Sequence, residues 1–101
     1  MSTSIVGPLA DTKPKTERPK VYKVILLNDD YTPREFVVAV LRAIFRMTTD
    51  QAHGVMLTAH MRGCCVVAVY TREIAETKAH QAIDMGQREG YPLMFTTEPE
   101  E

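Results

Sequence analysis

Most familiar chemistries are excluded by what this 101-residue chain lacks. Its formal net charge is −1, from 12 basic and 13 acidic residues, so no field of one sign draws it to nucleic acid or an anionic membrane. No apolar run reaches the ~20 residues of a membrane span. The amino terminus carries no basic segment followed by an apolar one, so a secretory leader is not expected either. The two cysteines are neighbours, Cys64 and Cys65, in a strand-like run. Consecutive strand residues point to opposite faces, which argues against a disulfide and for a reduced, cytoplasmic setting. No Cys-x-x-Cys or His-x-x-x-His pair offers a zinc site. His53 and His60 lie on one expected helix, about 10 Å apart along its axis at a rise of ~1.5 Å per residue, too far to share a metal. The five glycines are scattered, so no phosphate-cradling loop exists. A hydrolase built on Cys64 or Cys65 with His60 is conceivable. Both thiols, however, lie in a strand read as buried, with no helix N-terminus or cation evident to lower their pKa. No catalysis, metal or cofactor is expected.

What is present is a small folded domain. A hydrophobic share of 45% and a charged share of 25% are ordinary for a globule. A chain of this length buries roughly 60–70% of its unfolded surface. Residues 1–20 hold Pro8, Pro14 and Pro19 without a sustained apolar period and are expected to form a flexible arm. Val21 to Leu27 is nearly continuously apolar and predicts the central strand. Phe36, Val37, Val40, Leu41, Ile44 and Phe45 recur at helical spacing, predicting a helix from Pro33 to Arg46 or Met47. Thr48 with Gln51 forms a capping box that opens a second helix, ending near Gly63. Cys64 to Tyr70 is a second strand. A third helix, capped by Thr71 and ended by Gly90, carries the small-residue stripe Ala75, Ala79, Ala82, Ile83 and Gly86. Pro92 to Thr97 is a last strand, with Pro92 at its start or on an edge. The acidic tail, residues 98–101, is expected to fray. The order β-α-α-β-α-β predicts an α+β fold, a three-stranded sheet with three helices on one face. No internal repeat or low-complexity tract is present.

The chain is organised around the junction Leu27-Asn28-Asp29-Asp30-Tyr31-Thr32-Pro33-Arg34-Glu35. Thr32 suits a helix N-cap, Pro33 the first helical position and Glu35 the acid of a capping box. Asn28, Asp29 and Asp30 are surplus to that start. They are ordinary turn formers, and equally a set of acceptors fit to hold a small cation or an amine. His60 follows Met56 by one helical turn and so lies at the rim of a buried stripe. A histidine there is commonly structural. If the second helix packs so that His60 faces the Asn28 turn, a neutral imidazole adds another acceptor. Val37, Met56, Ala59 and Leu93 would stand around it. Acceptors beside an apolar hole suit an ammonium attached to a hydrophobic side chain, and a protein's amino terminus with a bulky first residue is such a ligand.

At this point the residues converge on a family. Tyr22-Lys23-Val24-Ile25-Leu26-Leu27-Asn28-Asp29-Asp30-Tyr31-Thr32-Pro33, with Glu35-Phe36-Val37, closely resembles the signature of ClpS, the bacterial N-degron adaptor. Ala59-His60 with Gly63, the run Glu73-Ile74-Ala75-Glu76-Thr77-Lys78, and Tyr91-Pro92-Leu93 resemble three further elements of that family, in the same order. The similarity covers about residues 20–97 without an evident gap.

The resemblance implies an adaptor domain over residues 21–97. Such an adaptor binds substrates beginning with Leu, Phe, Tyr or Trp and delivers them to the AAA+ unfoldase ClpA for degradation by ClpP. Carried over, Asn28, Asp29 and His60 would contact the α-amino group. Asp30, Thr32, Arg34, Val37, Met56, Ala59 and Leu93 would line or support the side-chain pocket. Glu73 and Lys78, otherwise a solvated helix face, would meet the amino-terminal domain of ClpA. The arm would be fed towards the unfoldase pore, and the adaptor would act as a monomer. Two positions depart from the pattern. Many members carry Met where this chain has Arg34, as a gate against β-branched first residues. Arginine is longer and able to snorkel away from the pocket. Ala59 is smaller than the expected Val. Both changes are expected to alter which first residues are accepted. Shared architecture does not confer function, so a scaffold or assembly domain without amino-terminal recognition is the alternative.

Overall fold

The computed structural model describes residues 20–100. Apart from Lys20, the expected arm lies outside the described residues. Six elements follow in the expected order: β1 (Val21–Leu27), α1 (Arg34–Phe45), α2 (Thr49–Arg62), β2 (Cys64–Thr71), α3 (Arg72–Arg88) and β3 (Met94–Pro99). The sheet is antiparallel with strand order β2-β1-β3, so the most apolar strand is central. β1 is flanked by a strand on each edge, which satisfies its backbone on both sides.

Alternation across the sheet decides which residues enter the core. Val24 and Leu26 of β1 are buried, as is Phe95, which lies opposite Leu26 on β3. On the other face Lys23 lies opposite Glu98 and pairs with it at 3.3 Å. Val66, Val69 and Met94 are exposed. The three helices supply the rest of the core. Val37, Val38, Val40, Leu41 and Phe45 come from α1, Ala52, Met56 and Ala59 from α2, and Ala75, Ala79 and Ala82 from α3. Gly86 continues the α3 stripe, and its lack of a side chain lets the segment after the helix close in. A Cβ built there would stand 2.9 Å from the Cβ of Leu93.

Several local expectations need correction. α1 begins at Arg34, its N-cap position is Pro33, and no side chain caps it. The Thr32 hydroxyl instead donates to Asp29 Oδ2 at 2.9 Å, which joins it to the turn before the helix. α1 ends at Phe45, with Arg46 already in the left-handed region at φ 58°. Thr71 occupies the N-cap position of α3 but makes no side-chain cap bond, whereas the Thr48–Gln51 capping box of α2 is complete. α3 ends at Arg88, two residues before Gly90, which turns the chain at φ 79°. The tail does not fray over residues 98–100. β3 runs to Pro99, and the Glu100 N–H donates to the Val21 carbonyl at 2.9 Å. Cys64 is exposed and Cys65 half-buried, so the pair does not lie in a buried strand. The sheet is covered on one face only. Cys65 lies opposite Leu26 on that face, and Cys64 lies opposite Leu27.

Candidate functional site

The turn after β1 and the end of α2 are joined by a backbone hydrogen bond from Asn28 N–H to the Gly63 carbonyl at 3.0 Å. Gly63 is in the left-handed region at φ 94°, closing α2 just after the turn that bears His60. This single tie puts residues more than thirty positions apart on opposite sides of one opening.

The turn is held by Asp29. Its Oδ1 accepts from the backbone N–H groups of Tyr31 at 2.8 Å and Thr32 at 2.7 Å, and its Oδ2 accepts the Thr32 hydroxyl. Asp29 is thus a turn former of the side-chain-to-backbone kind. One oxygen is doubly occupied and the other keeps a free lone pair. Among the described residues no such turn contact ties down the side chains of Asn28 or Asp30, which are exposed.

Below the turn lies a cavity of about 290 Å³. Leu26, Val37, Met56, Ala59 and Leu93 form its floor and are all buried. Asn28, Asp29, Asp30, Tyr31, Thr32, Arg34 and His60 form its polar side. The floor draws one strand residue, one from α1, two from α2 and one from the segment before β3, so the cavity is a property of the fold. Its volume, at the small end for ligand sites, suits a single large side chain.

All ten residues expected at the amine site and the side-chain pocket line this cavity: Asn28, Asp29, His60, Asp30, Thr32, Arg34, Val37, Met56, Ala59 and Leu93. Glu73 and Lys78 are elsewhere, on α3. Glu73 is exposed in its first turn, whereas the Lys78 ammonium donates to the Ile44 carbonyl at 3.0 Å and lies 5.6 Å from the Tyr70 ring centroid. Leu26, Leu27, Tyr31 and Pro33 also line the cavity and are not among the expected site residues. Leu26 could have been found, because strand alternation puts it on the face of Val24.

Arg34 does not turn away from the pocket. Its Nη2 lies 3.2 Å from Nε2 of His60. A guanidinium only donates, so a hydrogen bond across this contact makes Nε2 the acceptor and requires the tautomer that carries its proton on Nδ1. Residues 26 apart in sequence make this contact, and no local pattern announces it.

Burial raises the Cys65 thiol above its ordinary value, with the neighbouring Cys64 adding to the effect and Arg62 opposing it, so it is a poor nucleophile at neutral pH. Among the described residues no group of three or more His, Cys, Asp or Glu converges to hold a metal.

The chain is similar to known proteins. A family profile described as ATP-dependent Clp protease adaptor protein ClpS matches residues 17–96. The chain is 63% identical to the ATP-dependent Clp protease adapter protein ClpS 1 of Bradyrhizobium diazoefficiens, over 100% of both chains. It is 65% identical to ClpS 2 of Mesorhizobium japonicum over 93% of each. The structure of Agrobacterium tumefaciens ClpS2 bound to L-phenylalaninamide superposes with a TM-score of 0.81 at 65% identity, covering 82% of this chain and 100% of that one.

Proposed function

Because this chain belongs to the ClpS family of non-catalytic ATP-dependent Clp protease adaptors, we propose that its cavity captures the free amino terminus of proteins that begin with a bulky hydrophobic residue. The observation that carries this reading is the juxtaposition in one opening of a buried apolar floor with the acceptors Asn28, Asp29 and His60. The first side chain, Leu, Phe, Tyr or Trp, descends onto Val37, Met56, Ala59 and Leu93. Burying a residue of that size is worth about 1.5–3 kcal/mol. The α-ammonium meets His60 Nε2, the Asn28 carbonyl oxygen and the free lone pair of Asp29 Oδ2. Each charge-assisted hydrogen bond adds about 1.5–3 kcal/mol. Asp30 and Thr32 support the mouth, Thr32 by its bond to Asp29. The relative crystallised with L-phenylalaninamide lends support, since that molecule pairs a free α-amine with an aromatic side chain.

The bound protein is then delivered, by the adaptor acting as a monomer in the cytoplasm, to the amino-terminal domain of ClpA for degradation by ClpP. Glu73 and Lys78 form the contact with the unfoldase. Arg34 and the small Ala59 set the ranking among accepted first residues, and Arg34→Met should change it.

Anisotropy with labelled peptides beginning Phe, Leu, Tyr, Trp, Ile or Met, free and amino-acetylated, tests the reading. Free peptides beginning Phe or Leu should bind. His60→Ala should weaken them about tenfold or more, the loss of one charge-assisted hydrogen bond. Binding that survives acetylation would refute amine recognition.

A further inference from the structure

We propose that Arg34 reads the second residue of the captured terminus, favouring a carboxylate there and disfavouring a cation. The inference rests on amino-terminal capture in this cavity and adds a second position to it. It begins from the 3.2 Å contact between Arg34 Nη2 and His60 Nε2. An imidazole nitrogen that accepts has one lone pair, so the guanidinium and an incoming ammonium cannot both use it. Arg34 therefore holds the acceptor that the amine requires, and capture is an exchange of one cation for another.

Exchange frees a guanidinium with five donors at a known place. Arg34 is the first residue of α1, exposed at the mouth of the cavity. With the first side chain down on the apolar floor, the rest of the ligand leaves through that mouth. The second residue lies one peptide unit from the first, about 3.8 Å between Cα atoms, within reach of an arginine side chain. Arginine suits a carboxylate, because its planar fork matches the two oxygens.

Charge at the mouth makes this position sensitive to sign. The cavity is lined by two acids, Asp29 and Asp30, and Arg34 is the one Lys or Arg among its lining residues. Without Arg34 the mouth would hold acids alone, which would repel an acidic second residue and welcome a basic one. Arg34 therefore determines the order of preference, beyond strengthening one contact.

Anisotropy with three free-amine peptides that share Phe at the first position and carry Glu, Ala or Lys at the second decides the matter. Comparing ratios within one variant cancels any effect of the substitution on the first-residue pocket. The wild-type chain should bind the Glu peptide about fivefold more tightly than the Lys peptide, the scale of gaining one exposed ion pair against meeting one repulsion. The ratio should shrink at high salt. Arg34→Lys should keep the order, and Arg34→Met should abolish or reverse it. Equal binding of the Glu and Lys peptides by the wild type, or an unchanged ratio in Arg34→Met, would overturn the inference while leaving amine capture standing. Failure of all three peptides, the Ala peptide included, would instead count against capture itself.

Discussion

At the scale of single residues, Asp29 and His60 carry most of the consequence. Asp29 accepts three hydrogen bonds from the two residues that close the turn, at 2.7–2.9 Å. Removing the carboxylate leaves part-buried donors without a partner, so Asp29→Ala should cost about 1–2 kcal/mol. In a domain this small that lowers the midpoint of thermal unfolding by roughly 4–8 °C per kcal/mol. Peptide affinity should fall in the same variant, because the loop that carries Asn28 loses its brace. Asp29→Asn keeps an acceptor for the two backbone N–H groups and should recover part of both losses. Unfolding followed by circular dichroism, with anisotropy on the same samples, checks the pair. In the proposed complex His60 contributes by accepting. His60→Gln, which keeps an acceptor in place of the ring nitrogen, should retain more affinity for free-amine peptides than His60→Ala. Equal loss in the two variants would make His60 structural only.

Helices and strands show why the floor of the cavity is where it is. The stripe Ala75, Ala79, Ala82 and Gly86 is buried on α3, and Gly86 has the Cβ of Leu93 against it. Leu93 is itself a floor residue. Gly86→Ala puts a Cβ 2.9 Å from that atom, which is no flexible chain end, so the segment before β3 must move. The expected outcome is a loss of about 1–3 kcal/mol from overpacking and a weaker hold on aromatic first residues, read by melting and by peptide titration. The elements themselves were legible in the residues. Val21 to Leu27 is apolar enough for a central strand, the α1 and α2 faces repeat at helical spacing, and Thr48 with Gln51 marks a helix start. The pattern misleads where a residue belongs to a neighbouring feature. Thr32 suits a cap, yet its hydroxyl and N–H are bound to Asp29 in the turn, and the helix begins at Arg34. The 98–101 tail looks frayed until Lys23 is seen opposite Glu98 and Val21 takes the Glu100 N–H. Cys64 and Cys65 look buried until it is known that only one sheet face is covered.

For the molecule as a whole, the cavity is a meeting of segments that no local pattern brings together. Its ten expected lining residues were legible through the family resemblance, whereas the Arg34–His60 contact across 26 positions was not, because charge and length alone allow the arginine to lie in water. The proposed delivery to an unfoldase through Glu73 and Lys78 belongs to the same scale. Glu73 is exposed on α3 and holds nothing in the core, so Glu73→Ala should lower unfoldase-dependent degradation without changing the melt. Lys78 also binds the Ile44 carbonyl at the end of α1, so Lys78→Ala should lower both. A degradation assay run beside a melt separates the two effects. Unchanged degradation in Glu73→Ala would remove Glu73 from the interface.

Calorimetric titration of the smallest complete ligand separates amine recognition by the cavity from simple burial of an apolar side chain. L-phenylalaninamide offers one α-ammonium and one aromatic side chain, and its N-acetyl derivative differs only at the amine. Free L-phenylalaninamide should bind this protein, and acetylation should weaken it about a hundredfold, the loss of two charge-assisted hydrogen bonds at ~1.5 kcal/mol each. Equal affinity for the two would leave the apolar floor as the whole of the site and rule out amine recognition.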